Sequence, residues 1–210
     1  MIYSCLVSVT AIVPLKALDH SKQRLSGRLS AAQRRALMRD LFLHVIDTCL
    51  AAGSIDGTLA VVGDGAGLAL ARQRDVPALL DTRDLNSALR HATSRLPAGA
   101  TSLIVVADLP EVTVDDLDAM VAAGRPAPTV LVAPTHDGGT GALLRQPAAV
   151  IPPAFGPASA AAHLAAAQAA GVRAGVLARP GLAHDVDRPA DLDRYAALVP
   201  GGAGSGSSPP

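Results

Sequence analysis

Three carboxylates lie in positions suited to binding a metal ion. Asp108 directly follows the apolar residues Val106 and Ala107, and the other two carboxylates stand two positions apart in Asp185-Val186-Asp187. In an extended segment this spacing turns both carboxylates to one face and Val186 to the other. Hard cations such as Mg²⁺ prefer oxygen ligands and need few of them from the protein. We therefore predict Asp108, Asp185 and Asp187 as Mg²⁺ ligands; the alternatives are that Asp108 caps a turn and that Asp187 caps a helix beginning at Pro189.

Cationic side chains are concentrated in the connection that follows the first predicted strand. Lys16, Lys22 and Arg24 all lie in this connection. A polyphosphate concentrates negative charge, and Lys and Arg are the side chains that bind phosphate oxygens. The three cations therefore predict a polyphosphate site, with an ordinary solvated loop as the alternative.

A second phosphate site is predicted where Phe155-Gly156-Pro157-Ala158-Ser159 leads into a helix. Gly156 allows close approach of the backbone, the free N–H groups at a helix start attract a phosphate, and Ser159 adds a hydroxyl. An ordinary helix cap is the alternative. The glycine-rich turn from Asp137 to Gly141 lies at another predicted strand end and adds further polar groups there.

Several other catalytic and cofactor motifs do not occur in the sequence. The segment Gly63-Asp64-Gly65-Ala66-Gly67 does not match the dinucleotide-binding pattern, and the six histidines show no zinc-binding spacing. Neither a G-x-S-x-G elbow nor a Walker A loop occurs. A dinucleotide site, a zinc site and a serine nucleophile of that kind are therefore not predicted.

Composition excludes further classes of protein. Of the 210 residues, 50% are hydrophobic and 17% are charged, which excludes a mainly disordered chain. Aromatic residues make up 2% and the formal net charge is +0, so we predict neither base stacking nor a basic surface for nucleic acid or membranes. Cys5 and Cys49 do not form a disulfide framework or a metal-binding spacing. The apolar residues 1–15 have no positively charged leading segment and are too few to span a bilayer. We expect a soluble, cytoplasmic protein with both cysteines buried.

Strands and helices alternate along the chain. Apolar stretches predict strands at 7–14, 58–62, 78–80, 102–107, 129–133, 142–144 and 174–177. Helices are predicted at 30–53, 68–74, 85–96, 159–170 and 189–198, and another helix is predicted to begin after Thr113. At the start of the first helix, Ser30 and Gln33 have the spacing of a capping box. This alternation predicts one α/β domain with a mostly parallel sheet over residues 1–199, followed by a disordered tail at 200–210. In such sheets ligands bind beyond the carboxyl ends of the strands, where the polar groups described above lie.

Several stretches, taken together and in this order, resemble one enzyme family. They are Ile12-Val13-Pro14-Leu15-Lys16, Ser21-Lys22-Gln23-Arg24-Leu25, Leu85-Asn86-Ser87-Ala88, Ala107-Asp108-Leu109-Pro110, Asp137-Gly138-Gly139-Thr140-Gly141-Ala142-Leu143-Leu144, Phe155-Gly156-Pro157-Ala158-Ser159 with His163-Leu164, and Pro180-Gly181-Leu182 with Asp185-Val186-Asp187-Arg188-Pro189. The combination resembles the phospholactate or phosphoenolpyruvate guanylyltransferases of coenzyme F-420 biosynthesis and covers nearly the whole chain apart from the tail. The resemblance implies a Rossmann-like nucleotidyltransferase fold of the molybdopterin-guanylyltransferase type.

The resemblance also implies a reaction, in which GMP passes from GTP to the phosphate of a three-carbon acid and pyrophosphate is released. The acceptor phosphate is already an anion and needs no general base, so positioning and charge neutralisation suffice. The Ala- and Arg-rich composition is typical of a bacterial gene, and bacterial members of the family are associated with phosphoenolpyruvate, which is the predicted acceptor. The alternatives are 2-phospho-L-lactate or 3-phosphoglycerate as acceptor, a nucleotidyltransferase for a sugar phosphate or molybdopterin, and a nucleotide-binding regulatory module without turnover.

The resemblance implies roles for individual residues. The catalytic residues would be Lys16, Lys22 and Asp108. The residues facing the nucleotide would be Lys16, Lys22, Arg24 and Asn86, and Mg²⁺ would be held by Asp108 and Asp185. The residues surrounding the acceptor phosphate would be Thr140, Gly141, Gly156 and Ser159. The family usually has Asn or Thr where this chain has Gly141, so a side-chain contact to the acceptor would be either missing or replaced by the backbone N–H of Gly141.

Overall fold

Strands with apolar residues at nearly every position form the centre of the molecule. The computed structural model describes residues 8–195. Within that range the strands are β1 (Val9–Leu15), β2 (Gly57–Val62), β3 (Ala78–Leu80), β4 (Thr101–Val105), β5 (Thr129–Pro134), β6 (Thr140–Gln146) and β7 (Arg173–Val176). They form one sheet in the order β3-β2-β1-β4-β6-β5-β7. Every residue of β4 is buried, as expected for a strand that is covered on both faces.

Six α-helices lie within the described range, of which five connect strands and the last follows β7. They are α1 (Ala31–Ala51), α2 (Gly65–Arg72), α3 (Leu85–Ser94), α4 (Val114–Ala123), α5 (Ser159–Ala169) and α6 (Pro189–Arg194). The predicted capping box at the start of α1 is confirmed. The backbone N–H of Gln33 donates to Ser30 Oγ at 3.2 Å, and the N–H of Ser30 donates to Gln33 Oε1 at 3.0 Å.

The sheet topology places a crevice between β1 and β4. All neighbouring strands are parallel except β6, which runs antiparallel to β4 on one side and to β5 on the other. The chain moves outward from β1 to β2 and β3 and then returns to place β4 on the other side of β1. At such a reversal the connections leave the two strands in opposite directions and open a crevice at their carboxyl ends. The predicted α/β fold with a mostly parallel sheet is confirmed.

Apolar side chains cover both faces of the sheet. On one face α1 and α4 contribute Leu37, Phe42 and Leu117, and on the other α3 and α5 contribute Leu89 and Ala167. In β1 every second residue from Val9 to Leu15 belongs to the first cluster, and Ile12 between them belongs to the second, as the period of two in a strand requires. The resulting three layers hold the carboxyl ends of the strands in fixed positions.

Two predicted elements differ from the structure. Strand β6 has seven residues where a short extended segment was predicted, because its backbone pairs with two neighbouring strands that are distant in sequence. Helix α2 begins at Gly65, ahead of its predicted start at residue 68, because the Asp64 carboxylate accepts from the N–H of Gly67 at 2.8 Å and caps the helix. The other Asp64 oxygen accepts from the N–H of Leu18 at 2.8 Å and holds the start of the cationic loop.

Several predictions concern the ends of the chain and the cysteines. Cys49 is buried, as predicted, and burial raises the pKa of its thiol to about 12. Cys5, the end of the last predicted helix and the tail at 200–210 lie outside the described residues. None of the helices found between residues 8 and 195 has the length and apolar character needed to cross a membrane.

Candidate active site

A cavity of about 670 Å³ opens at the carboxyl ends of β1 and β4. Its walls come from the loop after β1, the loop after β4, the turn between β5 and β6, the start of α5 and the segment before α6. The predicted site residues that line it are Lys16, Lys22, Arg24, Asp108, Thr140, Gly156, Ser159, Asp185 and Asp187. Nearly all of the predicted site residues therefore meet in one cavity.

The carboxylates of Asp108 and Asp185 come together although they are far apart in sequence. The backbone N–H of Val186 donates to the Asp108 carbonyl oxygen at 3.1 Å. The side chain of Val186 is fully buried, and Asp185 and Asp187 on either side of it both line the cavity. The alternation predicted for Asp185-Val186-Asp187 is confirmed.

The alternative in which Asp187 caps the last helix is wrong. Arg188 occupies the position before α6, and its N–H and that of Asp187 donate to the carboxylate of Asp191 at 2.6 and 2.8 Å. The carboxylate of Asp187 instead forms an ion pair with Arg24, and one of its oxygens lies 3.9 Å from Lys22 Nζ. Its oxygens therefore face cations at the cavity, and its role as a metal ligand stays a prediction.

Lys22 forms the main ion pair of the site. Its Nζ donates to Asp108 Oδ2 at 2.5 Å, and its side chain is only 5% exposed. The backbone of Lys22 is left-handed, with φ 56°, a conformation that few non-glycine residues adopt. The next turn closes on it through a bond from the Leu25 N–H to the Lys22 carbonyl oxygen at 2.9 Å, and Leu25 is fully buried. The loop is thereby held in the conformation that points the Lys22 ammonium at Asp108.

The charges at this end of the cavity fit a divalent cation. Burial and the negative charge of Asp108 raise the pKa of Asp185 by more than the positive charge of Lys22 lowers it, so a further cation beside Asp185 would stabilise its charged form. Among residues 8–195, no three His, Cys, Asp or Glu side chains gather into a complete metal site. Mg²⁺ commonly takes one or two carboxylates and completes its coordination with water and substrate phosphates. Asp108 and Asp185 supply that number of carboxylates.

Hydroxyl and backbone groups form the other end of the cavity. Thr140 begins β6 and Ser159 begins α5, and their hydroxyl oxygens are 2.9 Å apart. Gly156 lies just before the helix with φ +147°, a conformation that favours glycine. Thr140, Gly156 and Ser159 all line the cavity at the N-terminus of an eleven-residue helix, where the positive end of the helix dipole favours an anion.

Asn86 is one of two predicted site residues that the structure places outside the cavity lining. Its side-chain amide donates to the Phe155 carbonyl oxygen at 2.9 Å and accepts from the Phe155 N–H at 2.7 Å. Asn86 therefore holds the backbone next to Gly156. Its contact with a nucleotide stays a prediction.

Gly141 is the second residue outside the lining, and it allows two segments to pack closely. A Cβ at this position would lie 2.0 Å from the Leu182 carbonyl oxygen, so the segment 179–182 approaches β6 only because Gly141 has no side chain. On its other side that segment is held by the bond from Arg179 Nε to Asp116 Oδ1 at 2.7 Å. The segment leads directly to Asp185, and a contact between Gly141 and the acceptor stays a prediction.

We expect Gly141→Ala to destabilise the protein by about 2 kcal/mol, because the added methyl overpacks a site that Arg179 and Asp116 prevent from opening. Displacement of Leu182 also moves Asp185, so turnover should fall together with stability. Gly57→Ala is the matched control, since Gly57 also lies in a strand and a Cβ there meets nothing within 4 Å. Urea unfolding of both variants measures the difference. Equal free energies of unfolding for the two would contradict the close packing.

His163 is a buried residue to which the sequence analysis assigned no role. Its ring is fully buried, with Nδ1 3.2 Å from Thr140 Oγ1 and Nε2 accepting from the Ala154 N–H at 2.9 Å. Burial and the charge of Arg145 lower the pKa of His163 to about 4. The position of His163, four residues after Ser159, places both on one face of α5 and is the signal that sequence analysis could have used.

We expect stability to fall by about 2 kcal/mol between pH 7 and pH 5 because of His163. An unfolded histidine takes up a proton near pH 6.5, whereas folded His163 resists protonation down to about pH 4. The unfolded state therefore binds more protons in this window and gains stability as the pH falls. Urea unfolding at both pH values should show a smaller loss for His163→Asn than for the parent. An identical pH dependence for the two proteins would contradict the lowered pKa.

Comparisons with known proteins agree with this arrangement. The family model described as "Guanylyl transferase CofC like" matches residues 9–201. The phosphoenolpyruvate guanylyltransferase of Sphaerobacter thermophilus is 40% identical over 205 residues, which cover 96% of this chain and 99% of that protein. The enzyme of the same name from Chloroflexus aggregans is 38% identical over 192 residues, covering 88% and 95%.

Solved structures share the fold at low sequence identity. A 4-diphosphocytidyl-2C-methyl-D-erythritol synthase superposes with a TM-score of 0.64 at 15% identity and covers 91% of this chain and 97% of that one. A Mycobacterium tuberculosis H37Rv protein in complex with manganese gives a TM-score of 0.57 at 19% identity and covers 92% and 99%. These two structures share the fold, and the family match together with the sequence identities shows that this chain belongs to the CofC-like guanylyl transferase family.

Proposed function

We propose that this protein transfers GMP from GTP to phosphoenolpyruvate in coenzyme F-420 biosynthesis. The choice of phosphoenolpyruvate is supported by the names of the similar proteins. The observation that carries the proposal is the convergence of Asp108 and Asp185 beside Lys22, in the same cavity as the Thr140–Ser159 hydroxyl pair. One end of the cavity thus carries groups suited to a metal-bound triphosphate, and the other end carries hydrogen-bond donors for a smaller anion.

In the proposed reaction an oxygen of the acceptor phosphate attacks the α-phosphorus of GTP. A P–O bond forms between them, and the bond to the leaving pyrophosphate breaks with its electron pair. Lys16, Lys22 and Arg24 bind the triphosphate oxygens and offset their charge. Thr140, Gly156 and Ser159 hold the acceptor in line for attack. No proton transfer is required, because the attacking oxygen is already anionic.

Asp108 and Asp185 are the residues that would hold Mg²⁺. The chemistry that Mg²⁺ supplies when bound is neutralisation of the charge that grows on the leaving pyrophosphate. A divalent metal is supported by the carboxylate pair and by the manganese found in a protein of the same fold. Lys22 orients the Asp108 carboxylate for this role through its hydrogen bond.

The decisive experiment incubates the purified protein with GTP and Mg²⁺ and, in turn, with phosphoenolpyruvate, 2-phospho-L-lactate, 3-phosphoglycerate, a sugar phosphate and molybdopterin. Pyrophosphate release and the mass of the nucleotide product are measured, and EDTA is added as a control. We expect the fastest release with phosphoenolpyruvate and none with EDTA. Preference for a sugar phosphate or molybdopterin would identify another nucleotidyltransferase. GTP binding without pyrophosphate release for any acceptor would overturn the proposal and favour a regulatory module.

A further inference from the structure

Both ring nitrogens of His163 have hydrogen-bond partners, and for each bond the donor and the acceptor can be assigned. The Ala154 backbone N–H can only donate, so Nε2, at 2.9 Å, must be the acceptor and carry no proton. A neutral imidazole carries one proton, which must then be on Nδ1. Nδ1 is 3.2 Å from Thr140 Oγ1 and therefore donates to it. The ring lies edge-on to Phe155, with centroids 5.1 Å apart, and this packing adds to the fixed orientation.

This tautomer decides what the Thr140–Ser159 pair presents to the cavity. The two hydroxyls carry two protons, and their contact at 2.9 Å uses one of them whichever oxygen donates. Since Thr140 receives its other bond from His163, the second proton remains for the cavity that both residues line. With the proton on Nε2 instead, Thr140 would donate to Nδ1 and Ser159 would donate to Thr140. Neither hydroxyl proton would then be left to donate into the cavity.

We propose that His163 is a positioning residue that makes the Thr140–Ser159 pair a hydrogen-bond donor towards the cavity. The pair thereby selects a substrate whose binding group carries no proton, either a phosphate dianion or a carboxylate. This inference rests on the proposed function, because that function assigns the acceptor phosphate to Thr140 and Ser159. The dipole of α5 acts in the same sense, since the positive end of the helix lies at Ser159 beside the cavity. His163 itself is fully buried and does not line the cavity, so it acts only through the hydroxyls.

Two amide substitutions separate the two hydrogen bonds of the ring. His163→Asn places an amide near the position of Nδ1 and keeps a donor for Thr140. His163→Gln reaches the position of Nε2 and keeps a partner for Ala154 but not for Thr140. We expect His163→Gln to raise the KM for phosphoenolpyruvate about tenfold and to leave the KM for GTP within about twofold, because without the bond from the ring the Thr140–Ser159 pair is no longer held with its free proton directed at the cavity. His163→Asn should stay within about threefold of the parent for both substrates.

Equal changes for the two variants, or a rise in the KM for GTP as large as that for phosphoenolpyruvate, would overturn the inference. Thermal melting establishes that both variants fold, and ¹⁵N chemical shifts of the parent imidazole give an independent test. They should show a protonated Nδ1 and a bare Nε2, and a proton on Nε2 would overturn the inference even if a variant fails to fold.

The experiment also separates this inference from the proposed function. Calorimetric titration with phosphoenolpyruvate measures acceptor binding without turnover. A parent protein that binds phosphoenolpyruvate but releases no pyrophosphate from GTP refutes the proposed function. Comparison of the two variants in binding still decides the role of His163 in that case. A parent that binds neither phosphoenolpyruvate nor inorganic phosphate would overturn both.

Discussion

Asp108→Asn and Asp185→Asn should each lower the rate of pyrophosphate release by about 10³-fold or more. Each change removes a carboxylate charge while keeping the size of the side chain. The backbone bond from Val186 to Asp108 does not involve either side chain and should persist. The fold should therefore remain while the site loses the negative charge needed to bind a divalent cation.

Initial rates at saturating GTP, Mg²⁺ and phosphoenolpyruvate measure this effect, and thermal melting shows whether the variants fold. Asp193→Asn is the matched control, since Asp193 is an exposed carboxylate that pairs with Arg28 at 2.8 Å. It should retain the parent rate. If either site variant keeps more than about a tenth of the parent activity, the carboxylate pair does not form the reaction centre.

Lys22→Met should reduce kcat by at least about 10²-fold and also destabilise the protein by about 2 kcal/mol. The ammonium group is almost fully buried against Asp108, and Asp187 lies 3.9 Å away. Its removal leaves the partly buried Asp108 carboxylate without its cationic partner. Methionine keeps the length of the side chain and meets the same backbone conformation, so the effect reports on the lost charge.

Arg28→Met is the matched control for Lys22, because Arg28 lies in the same connection but its side chain is half exposed and pairs with Asp193 on the surface. Exposed ion pairs contribute little to stability, so we expect a change in the free energy of unfolding below about 0.5 kcal/mol and a normal rate. Steady-state kinetics and urea unfolding compare the two variants. A Lys22→Met protein as active and as stable as Arg28→Met would show that the Lys22–Asp108 pair is dispensable.

Local signals in the sequence predicted the elements correctly where the interactions are also local. The Ser30–Gln33 capping box joins residues of one helical turn. The continuous apolar residues of β1 and β4 are typical of strands that are buried on both faces of a sheet. Strand β6 was predicted too short because its length depends on pairing with β4 and β5 across the sheet. The start of α2 was missed because three glycines in the segment favoured a turn, whereas the Asp64 cap stabilises a helix there.

For the candidate site, the sequence alone determined the residue types, the spacing of Asp185-Val186-Asp187 and the positions of cations and glycines at predicted strand ends. The family resemblance then joined them into one site. The ion pair of Lys22 with Asp108 and the closeness of Gly141 to Leu182 emerged only from the tertiary structure. So did the two hydrogen bonds that set the tautomer of His163. Alternation and capping follow from the geometry of neighbouring residues, whereas the distance between groups on separate loops depends on how the whole sheet brings its strand ends together.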